Sequence, residues 1–244
     1  MKTVLAISPH LDDAVFSAGA TLARLADDGW RVMVATCFTA SVENPSGFAL
    51  ACQLDKGLGP EIDYMALRRA EDRKACHVIG SEALHIPFAE APHRGYGSPR
   101  ALFGPVNADD RVANALGTAL AQLIMTESPD LVLGPAAIGA HVDHVIVRRT
   151  IETVCPAAVL WADQPYAVRN GFDRGGFLPF ACGDQATRKI EASQCYRSQL
   201  GFQFGDSVKE LSALALNAEW FLRFCQFNAN SALVDALMLQ SRYV

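Results

Sequence analysis

Residues 3–36, TVLAISPHLDDAVFSAGATLARLADDGWRVMVAT, decide the fold. Residues 3–8 form an apolar run of the length typical of a buried strand, and residues 16–29 carry apolar side chains at helical spacing until Gly29. A second apolar run, residues 31–36, follows directly. A strand, a helix and a strand within about 35 residues predict a βαβ unit, whose crossover makes the two strands parallel.

The same alternation of patterns continues along the chain. It predicts three more helices and three more strands: helices near 64–79, 108–127 and 142–154, and strands at 82–86, 130–134 and 158–162. From Gln185 onward the spacing indicates two further helices. We therefore predict a single α/β domain over residues 1–244. Its expected fold is a Rossmann-like three-layer α/β/α arrangement with a mostly parallel sheet and an active site at the carboxyl ends of the strands.

Two long segments interrupt this alternation. Residues 38–62 and 87–107 are rich in Gly, Pro and Ser, and each follows the carboxyl end of a predicted strand. Loops of this length inside a compact domain are usually functional or disordered. Because open α/β sheets bind ligands at this edge, we predict that the two segments shape a substrate pocket.

The composition excludes several classes of function. The net charge is −5, whereas nucleic-acid binding needs an excess of clustered Lys and Arg, so we expect no nucleic-acid partner. Apolar runs stay well below the roughly 18 residues of a transmembrane helix, and we expect no stable membrane insertion. The N-terminal residues do not resemble a signal peptide, and the seven cysteines contain no C-x-x-C pair. Both features predict a cytoplasmic protein with reduced thiols.

Three polar residues, His10, Asp12 and Asp13, follow the first predicted strand. Each can bind a metal or move a proton, whereas Gly, Asn or Pro is more usual after a strand. An aspartate here could simply cap the next helix, since the helix dipole favours a nearby negative charge by about 0.3–1 kcal/mol. One aspartate would be enough for that purpose, so capping does not explain the pair.

The stretch GPAAIGAHVDHVIVRRTI, residues 134–151, repeats this arrangement. His141, Asp143 and His144 open a predicted helix directly after a strand and a small-residue loop. The two histidines are three residues apart and therefore share one helix face. Two clusters of the same composition, each at the carboxyl end of a strand, indicate a metal site better than either cluster would alone.

The chemistry of these groups fits a metal-dependent hydrolase. A catalytic zinc site takes three His, Asp or Glu ligands and leaves one coordination position for water. The two clusters supply five or six candidate residues, which is enough for three ligands, a base and an oxyanion stabiliser, and so fit hydrolysis of an amide or an ester. Paired histidines favour zinc over magnesium, which prefers oxygen ligands and would suit a phosphatase.

Four segments, in order along the chain, carry a family resemblance. Residues 8–37 and 140–151 contain PHLDDA and HVDH, which are similar to AHPDDE and HPDH elements. LRRAEDRKACHVIG (67–80) is similar to an Arg- and Glu-rich helix before a third strand, and RKIEASQCYRSQ (188–199) is similar to a helix that runs from Lys to HRSQ. Together these segments resemble the zinc-dependent N-deacetylases of the PIG-L/LmbE superfamily.

The resemblance implies a role for each clustered residue. Zinc would be bound by His10, Asp13 and His144. Asp12 would be the general base, and His141 would polarise the substrate carbonyl and stabilise the oxyanion. Asp143 would set the tautomer of His141 by a hydrogen bond. Either Asp12 or His141 would protonate the leaving amine.

The resemblance also implies the reaction. The expected enzyme removes an N-acetyl or other N-acyl group from a small-molecule amino sugar glycoside or conjugate, in the biosynthesis of an antibiotic. A glucosaminide-cysteine thiol conjugate is an alternative substrate within the superfamily. A non-catalytic nucleotide- or metal-binding module is the alternative outside it, although a nucleotide site needs a Gly-rich first turn. Leu11 and Val142 replace prolines of the two signatures and Ala14 replaces a frequent Glu, but none of the three is an implied ligand or base.

Other residues carry weaker expectations. We expect Arg68 on a solvated helix face, and His77, His85 and His93 in structural or surface positions. Further polar groups could line the pocket: Tyr166, Arg197, Ser198 and Gln199. The apolar stretch at residues 210–225, ELSALALNAEWFLRFC, predicts a helix that packs in the core or joins copies of the chain in a homo-oligomer.

Overall fold

The structure, a computed structural model, describes residues 1–205 and 218–223. Its strands are β1 (Thr3–Ser8), β2 (Arg31–Thr36), β3 (Glu82–His85), β4 (Leu131–Pro135), β5 (Val159–Trp161), β6 (Phe177–Phe180) and β7 (Glu219–Arg223). Its helices are α1 (Asp13–Asp27), α2 (Gly47–Leu54), α3 (Tyr64–Ile79), α4 (Pro99–Leu102), α5 (Val112–Glu127), α6 (Val142–Val154), α7 (Tyr166–Asn170), α8 (Ala186–Ser193) and α9 (Arg197–Phe204). Short 3₁₀ turns cover Ala91–His93 and Gly183–Gln185.

The described strands form one sheet in the order β3-β2-β1-β4-β5-β7-β6. The first five run parallel, whereas β7 is antiparallel to both of its neighbours. The chain builds the sheet outward in one direction from β1 to β3 and then returns to place β4 on the other side of β1. Such a reversal opens a crevice at the carboxyl ends of the two central strands. The register that pairs Ala6 with Leu133 brings the residues after β1 and β4 side by side.

Apolar layers cover both faces of the sheet. Alternate residues of β1 point to opposite faces, as the strand period requires. Val4 and Ala6 enter the layer formed with α1, α3 and α8, while Leu5 and Ile7 enter the layer formed with α5 and α6. The predicted three-layer α/β fold with a mostly parallel sheet is therefore confirmed. Within the described residues, every helix is too short or too polar to cross a membrane.

The two long segments have more local structure than the sequence patterns indicated. Residues 38–62 include α2, and residues 87–107 include a 3₁₀ turn and α4. The helix predicted from residue 108 begins at Val112, because the Asp110 carboxylate accepts the Val112 N–H and ends the preceding loop. Both segments leave the carboxyl ends of strands, β2 and β3, as predicted.

The prediction of a helix over residues 210–225 is wrong for the part of this range that the structure describes. Glu219–Arg223 form strand β7, and residues 210–217 and 224–225 lie outside the described residues. Long-range contacts fix the strand, because the buried Glu219 carboxylate accepts hydrogen bonds from Lys189 Nζ at 2.7 Å and from the main chain of α1. A short apolar stretch fits both the helical and the strand period, and its local pattern does not reveal that Lys189 and α1 will bind Glu219. The expectation of a homo-oligomer through this helix loses that support.

Candidate active site

The sequence-predicted residues meet in one crevice. α1 begins at Asp13, five residues after β1 ends, and α6 begins at Val142 after a short loop from β4. Since β1 and β4 are neighbours, both helix starts lie at the same edge of the sheet. One pocket of about 230 Å³ is lined by residues of both clusters: His10, Asp12, Asp13, His141 and Asp143. His144 lies fully buried behind them, with its ring centroid 5.5 Å from that of His141.

Three side chains converge on one point in this crevice. Asp13 Oδ2 lies 3.2 Å from His10 Nδ1 and 3.3 Å from His144 Nε2. One ring nitrogen from each of His10, His141 and His144 also lies within 4.8 Å of the others. Within the described residues, His144 Nε2 is buried without a hydrogen-bond partner. An unsatisfied buried nitrogen is costly, and a cation held between these nitrogen and carboxylate atoms would satisfy it. The residues therefore fit a metal ion.

Two further carboxylates, Asp143 and Asp163, hold the rings of His10 and His144 in place. His10 Nε2 lies 2.9 Å from Asp143 Oδ2, and His144 Nδ1 lies 2.7 Å from Asp163 Oδ1. Burial would lower the pKa of His144, but Asp13 and Asp163 raise it to about 9. The same two carboxylates would attract a metal cation. Partners of this kind orient metal-binding histidines in proteins.

Asp163 was not found in the sequence analysis. It follows β5 as Asp13 follows β1, and its carboxylate also accepts the Ile138 N–H at 2.8 Å. The signal available in the sequence was its position, a carboxylate just past the carboxyl end of a third parallel strand.

Asp143 is placed differently from the prediction. Its carboxylate does not bond to His141; it faces His10, the Ala91 N–H and Arg94, whose Nη2 donates at 2.6 Å. Asp143 lies in the first turn of α6, and its side chain points toward the loop after β3 that carries Ala91 and Arg94. Burial would raise the pKa of Asp143, but the His10 hydrogen bond and the Arg94 charge hold it well below its usual range. Arg94 is a second residue that the sequence analysis missed.

His141 is oriented by the main chain. The Asp143 N–H donates to His141 Nδ1 at 3.2 Å, so the neutral ring carries its proton on Nε2. Burial and the nearby His10 lower the pKa of His141 to about 3, which keeps the ring neutral. A neutral ring with a protonated Nε2 at the pocket can donate a hydrogen bond to an oxygen atom.

Asp12 does not cap α1. Its side chain makes no cap hydrogen bond, and Ser8 Oγ instead accepts the Ala14 N–H at 3.1 Å. Asp12 is 5% exposed and lies 3.6 Å from Arg68 Nη2. Burial raises its pKa to about 7 although Arg68 opposes the shift. A buried carboxylate that titrates near neutral pH is suited to accept and return a proton.

Comparison with known proteins places this site in a family. The family model for GlcNAc-PI de-N-acetylase, PIG-L, matches residues 5–155. The chain belongs to the PIG-L family. One curated relative, 2'-N-acetylparomamine deacetylase of Streptomyces fradiae, is 31% identical over 211 residues, which are 80% of this chain and 72% of the relative.

Solved structures of PIG-L relatives support the same conclusion. The zinc-inhibited form of a teicoplanin deacetylase is 27% identical with a TM-score of 0.75, over 91% of this chain and 98% of the other. The A40926 pseudoaglycone deacetylase is 29% identical with a TM-score of 0.74, over 92% and 98% of the two chains. The chain is thus a deacetylase of the PIG-L family, as the four sequence segments predicted.

In this PIG-L chain the two turns of the site form without the two signature prolines. Leu11 and Val142 are both fully buried. The turn before α1 is closed by a hydrogen bond from the Asp12 N–H to the His10 carbonyl at 3.0 Å, and Val142 packs with Ala91 and Tyr96 of the loop after β3. Apolar packing and main-chain bonds hold both turns.

The expectation that Arg68 lies on a solvated helix face is wrong. It is 4% exposed rather than solvated, and its guanidinium pairs with Glu90 and lies beside Asp12. The reason is that α3 turns this side chain inward, against the segment that follows β3. In the PIG-L fold, Arg68 thus belongs to the pocket wall.

The remaining expected residues divide between pocket and scaffold. Tyr166 and Gln199 line the pocket, whereas the Ser198 side chain bonds to Glu71 outside it. His85 is structural, since its Nε2 lies 2.8 Å from the buried Asp72. The exposed His93 lies at the pocket rim. His77 and Arg197 are both exposed and lie outside the pocket lining.

Proposed function

We propose that this chain is a zinc-dependent N-deacetylase that acts on an amino sugar glycoside or conjugate in the biosynthesis of an antibiotic. The observation that carries the proposal is the convergence of His10, Asp13 and His144 on one point. His144 Nε2 makes no hydrogen bond to a described residue there, and the adjacent Asp12 side chain does not cap α1. The products are acetate and a free amino sugar.

Zinc would be held by His10, Asp13 and His144. Two imidazole nitrogens and a carboxylate oxygen are the donor types of catalytic zinc sites, and magnesium would prefer oxygen donors throughout. A zinc-inhibited form is known for a related teicoplanin deacetylase, which supports zinc as a ligand of this fold. When bound, zinc supplies a Lewis acid that makes water more acidic and polarises the amide carbonyl.

The protein groups around this centre have separate tasks. Asp12 takes a proton from the attacking water, whose oxygen forms the new bond to the carbonyl carbon. His141 donates a hydrogen bond from Nε2 to the carbonyl oxygen as negative charge develops there. The C–N bond then breaks, and Asp12 returns its proton to the leaving nitrogen. We assign this last step to Asp12 because burial keeps His141 neutral, without a second proton to give. Asp143 and Asp163 hold the histidine rings in position.

The substrate class rests on the relatives and on the pocket. The named relatives act on N-acetylparomamine, on teicoplanin and on the A40926 pseudoaglycone. The segments after β2 and β3 supply part of the pocket wall, including Phe48, Lys56 and Glu90. A pocket with this many polar groups around the reacting centre suits a hydroxyl-rich sugar. We also propose that residues 1–244 form one deacetylase domain and that the protein acts in the cytoplasm.

A nucleotide-binding module is not favoured by the site. The turn between β1 and α1 would have to hold a pyrophosphate, and it carries the buried carboxylates of Asp12 and Asp13 instead. Repulsion between these charges and an anionic ligand opposes binding.

The experiment is an assay of amine release from a panel of N-acetylated substrates: N-acetylglucosaminides, N-acetylated aminoglycoside fragments, glycopeptide pseudoaglycones and a glucosaminide-cysteine thiol conjugate. We expect zinc-loaded protein to release amine from at least one of the first three groups, and Asp12→Asn to abolish that release. Activity confined to the thiol conjugate would overturn the assignment to antibiotic glycosides. No amine release from any substrate by zinc-loaded protein would overturn the proposed deacetylation.

A further inference from the structure

Two aromatic rings stand beside His141 at the pocket. The Phe103 ring meets the His141 ring edge to face at a centroid distance of 5.4 Å, and it meets the Tyr166 ring at 5.9 Å. Tyr166 in turn packs edge to face on His144 at 5.6 Å. Both Phe103 and Tyr166 line the pocket, and Phe103 is 47% exposed. A half-exposed aromatic side chain in a pocket wall is typical of a ligand contact.

The backbone makes specific room for the Tyr166 ring. Gly139 has φ +88°, and a Cβ atom at this position would lie 2.7 Å from Tyr166 Cγ. Only glycine combines this backbone conformation with so close an approach. The Asp163 carboxylate binds both Ile138 N and His144 Nδ1, so the loop before α6 and the histidine are held by one group. The Tyr166 ring is therefore fixed relative to the metal-binding side chains.

Other residues that line the pocket provide polar groups near Asp12. Arg68 lies 3.6 Å from Asp12 and pairs with Glu90, and its guanidinium also lies 5.4 Å from the Tyr64 ring centroid. Gln199 Nε2 donates to the Tyr64 hydroxyl at 2.8 Å. Donors and acceptors of this kind match sugar hydroxyl groups. The pocket thus has hydrogen-bonding groups beside Asp12 and the Phe103 ring beside His141.

The three substituents of an amide carbonyl carbon can be matched to this division. The nitrogen must lie toward Asp12, which returns the proton, and the oxygen must lie toward His141, which donates the hydrogen bond. The acyl chain takes the remaining direction, for which the Phe103 and Tyr166 rings offer an apolar surface. We infer that Phe103 and Tyr166 form the acyl subsite and that Phe103 limits it to short chains such as acetyl. This inference rests on the proposed function.

A matched series of substrates tests the inference. The same glucosaminide is supplied with N-acetyl, N-butanoyl and N-hexanoyl groups, and kcat/KM is measured for each with zinc-loaded protein. We expect the wild type to prefer acetyl over butanoyl by about tenfold or more, since a hydrophobic pocket discriminates by this amount for one or two methylene groups. Phe103→Ala should lower that preference about tenfold, and Phe103→Leu should lie between the two.

A second aromatic residue provides the control. Phe202 lines the same pocket on the side of Lys56, whose Nζ lies 4.3 Å from its ring centroid, and it is 61% exposed. Phe202→Ala removes an equally large ring, and the described ring contacts of His141 do not include Phe202. We therefore expect the acetyl-to-butanoyl ratio to stay at the wild-type value. Calorimetry with acetate, butanoate and hexanoate gives a readout without turnover: Phe103→Ala should bind hexanoate more tightly than the wild type does, with acetate unchanged.

The outcomes separate the inference from the proposed function. Amine release with an acyl preference that is the same in Phe103→Ala and the wild type would overturn the acyl subsite alone. A shift of the same size in Phe202→Ala would also overturn it, because the effect would then come from general loosening of the pocket. Absence of amine release at every chain length in the wild type would overturn the proposed function and the inference with it.

Discussion

His144 Nδ1 lies 2.7 Å from Asp163 Oδ1, and both side chains are fully buried. This hydrogen bond joins residues from α6 and from the end of β5, so it connects two neighbouring strands of the sheet across the site. It leaves His144 Nε2 pointing to Asp13 Oδ2, 3.3 Å away, as a metal ligand would. The position of the proposed metal site thus depends on Asp163, a carboxylate that holds His144 but does not itself lie beside Asp13 Oδ2.

Replacement of Asp163 should weaken zinc binding. We expect Asp163→Ala to lower zinc affinity about 10- to 100-fold, the usual effect of removing the carboxylate behind a ligating histidine. Asp163→Asn is the matched variant, because its amide oxygen can still accept from His144 Nδ1, and we expect a smaller loss. Competition with a zinc chelator measures both affinities. Equal losses in the two variants would contradict an orienting hydrogen bond.

Replacement of Asp12 should remove turnover and keep the metal. Its side chain makes no cap hydrogen bond, so Asp12→Asn should leave the melting temperature and the zinc content near wild-type values. Loss of the general base should lower kcat by about 10²- to 10⁴-fold. Kinetics, zinc analysis and thermal melting on one preparation provide the test. Loss of zinc together with activity would instead make Asp12 a ligand.

Replacement of Arg94 should destabilise the fold. Its guanidinium is the positive partner of the fully buried Asp143 carboxylate, and it also contacts Asp110 at 3.1 Å. Removal of one member of a buried ion pair costs about 3–5 kcal/mol of unfolding free energy. The control is Arg24→Ala at the exposed pair with Asp28, where we expect a loss below about 1 kcal/mol. Urea unfolding that gives equal losses for Arg94→Ala and Arg24→Ala would refute the role of Arg94.

Zinc affinity should rise with pH. Asp13 and Asp163 raise the pKa of His144 to about 9 against the effect of burial, so a proton occupies Nε2 at neutral pH in the absence of metal. Zinc must displace that proton and the one on His10, whose pKa Asp13 and Asp143 also raise against the effect of burial. The apparent affinity should therefore increase by at least about tenfold per pH unit until the pH reaches the histidine pKa values. Calorimetry in two buffers of different ionisation enthalpy would report the released proton. An affinity independent of pH from 7 upward would contradict the expected competition.

The parts of the fold with local signals could be predicted from the sequence. β1, β2, α3 and α6 were predicted with the bounds that the structure has, because each is a continuous apolar run or a regular helical pattern with a clear stop. β7 could not be predicted, since the contacts of Glu219 with Lys189 and α1 determine its conformation. α2 could not be predicted for another reason: its eight residues lie inside a segment whose Gly, Pro and Ser content is typical of a loop.

The candidate site divides in the same way. His10, Asp13 and His144 could be found because a parallel sheet gathers residues at the carboxyl ends of its strands. Arg68 and Arg94 could not be assigned, because each depends on a partner from a distant segment, Glu90 for the first and Asp143 for the second. Pairing of this kind leaves no periodic signal in the sequence.

The most direct test is the zinc content of purified protein after equilibration with zinc and removal of excess ion, measured for the wild type, His144→Ala and Asp12→Asn. The account predicts about one zinc per chain in the wild type, with His10, Asp13 and His144 as ligands. It predicts loss of that zinc in His144→Ala and its retention in Asp12→Asn. A wild type without zinc, or a His144→Ala variant that binds zinc as tightly as the wild type, would contradict it.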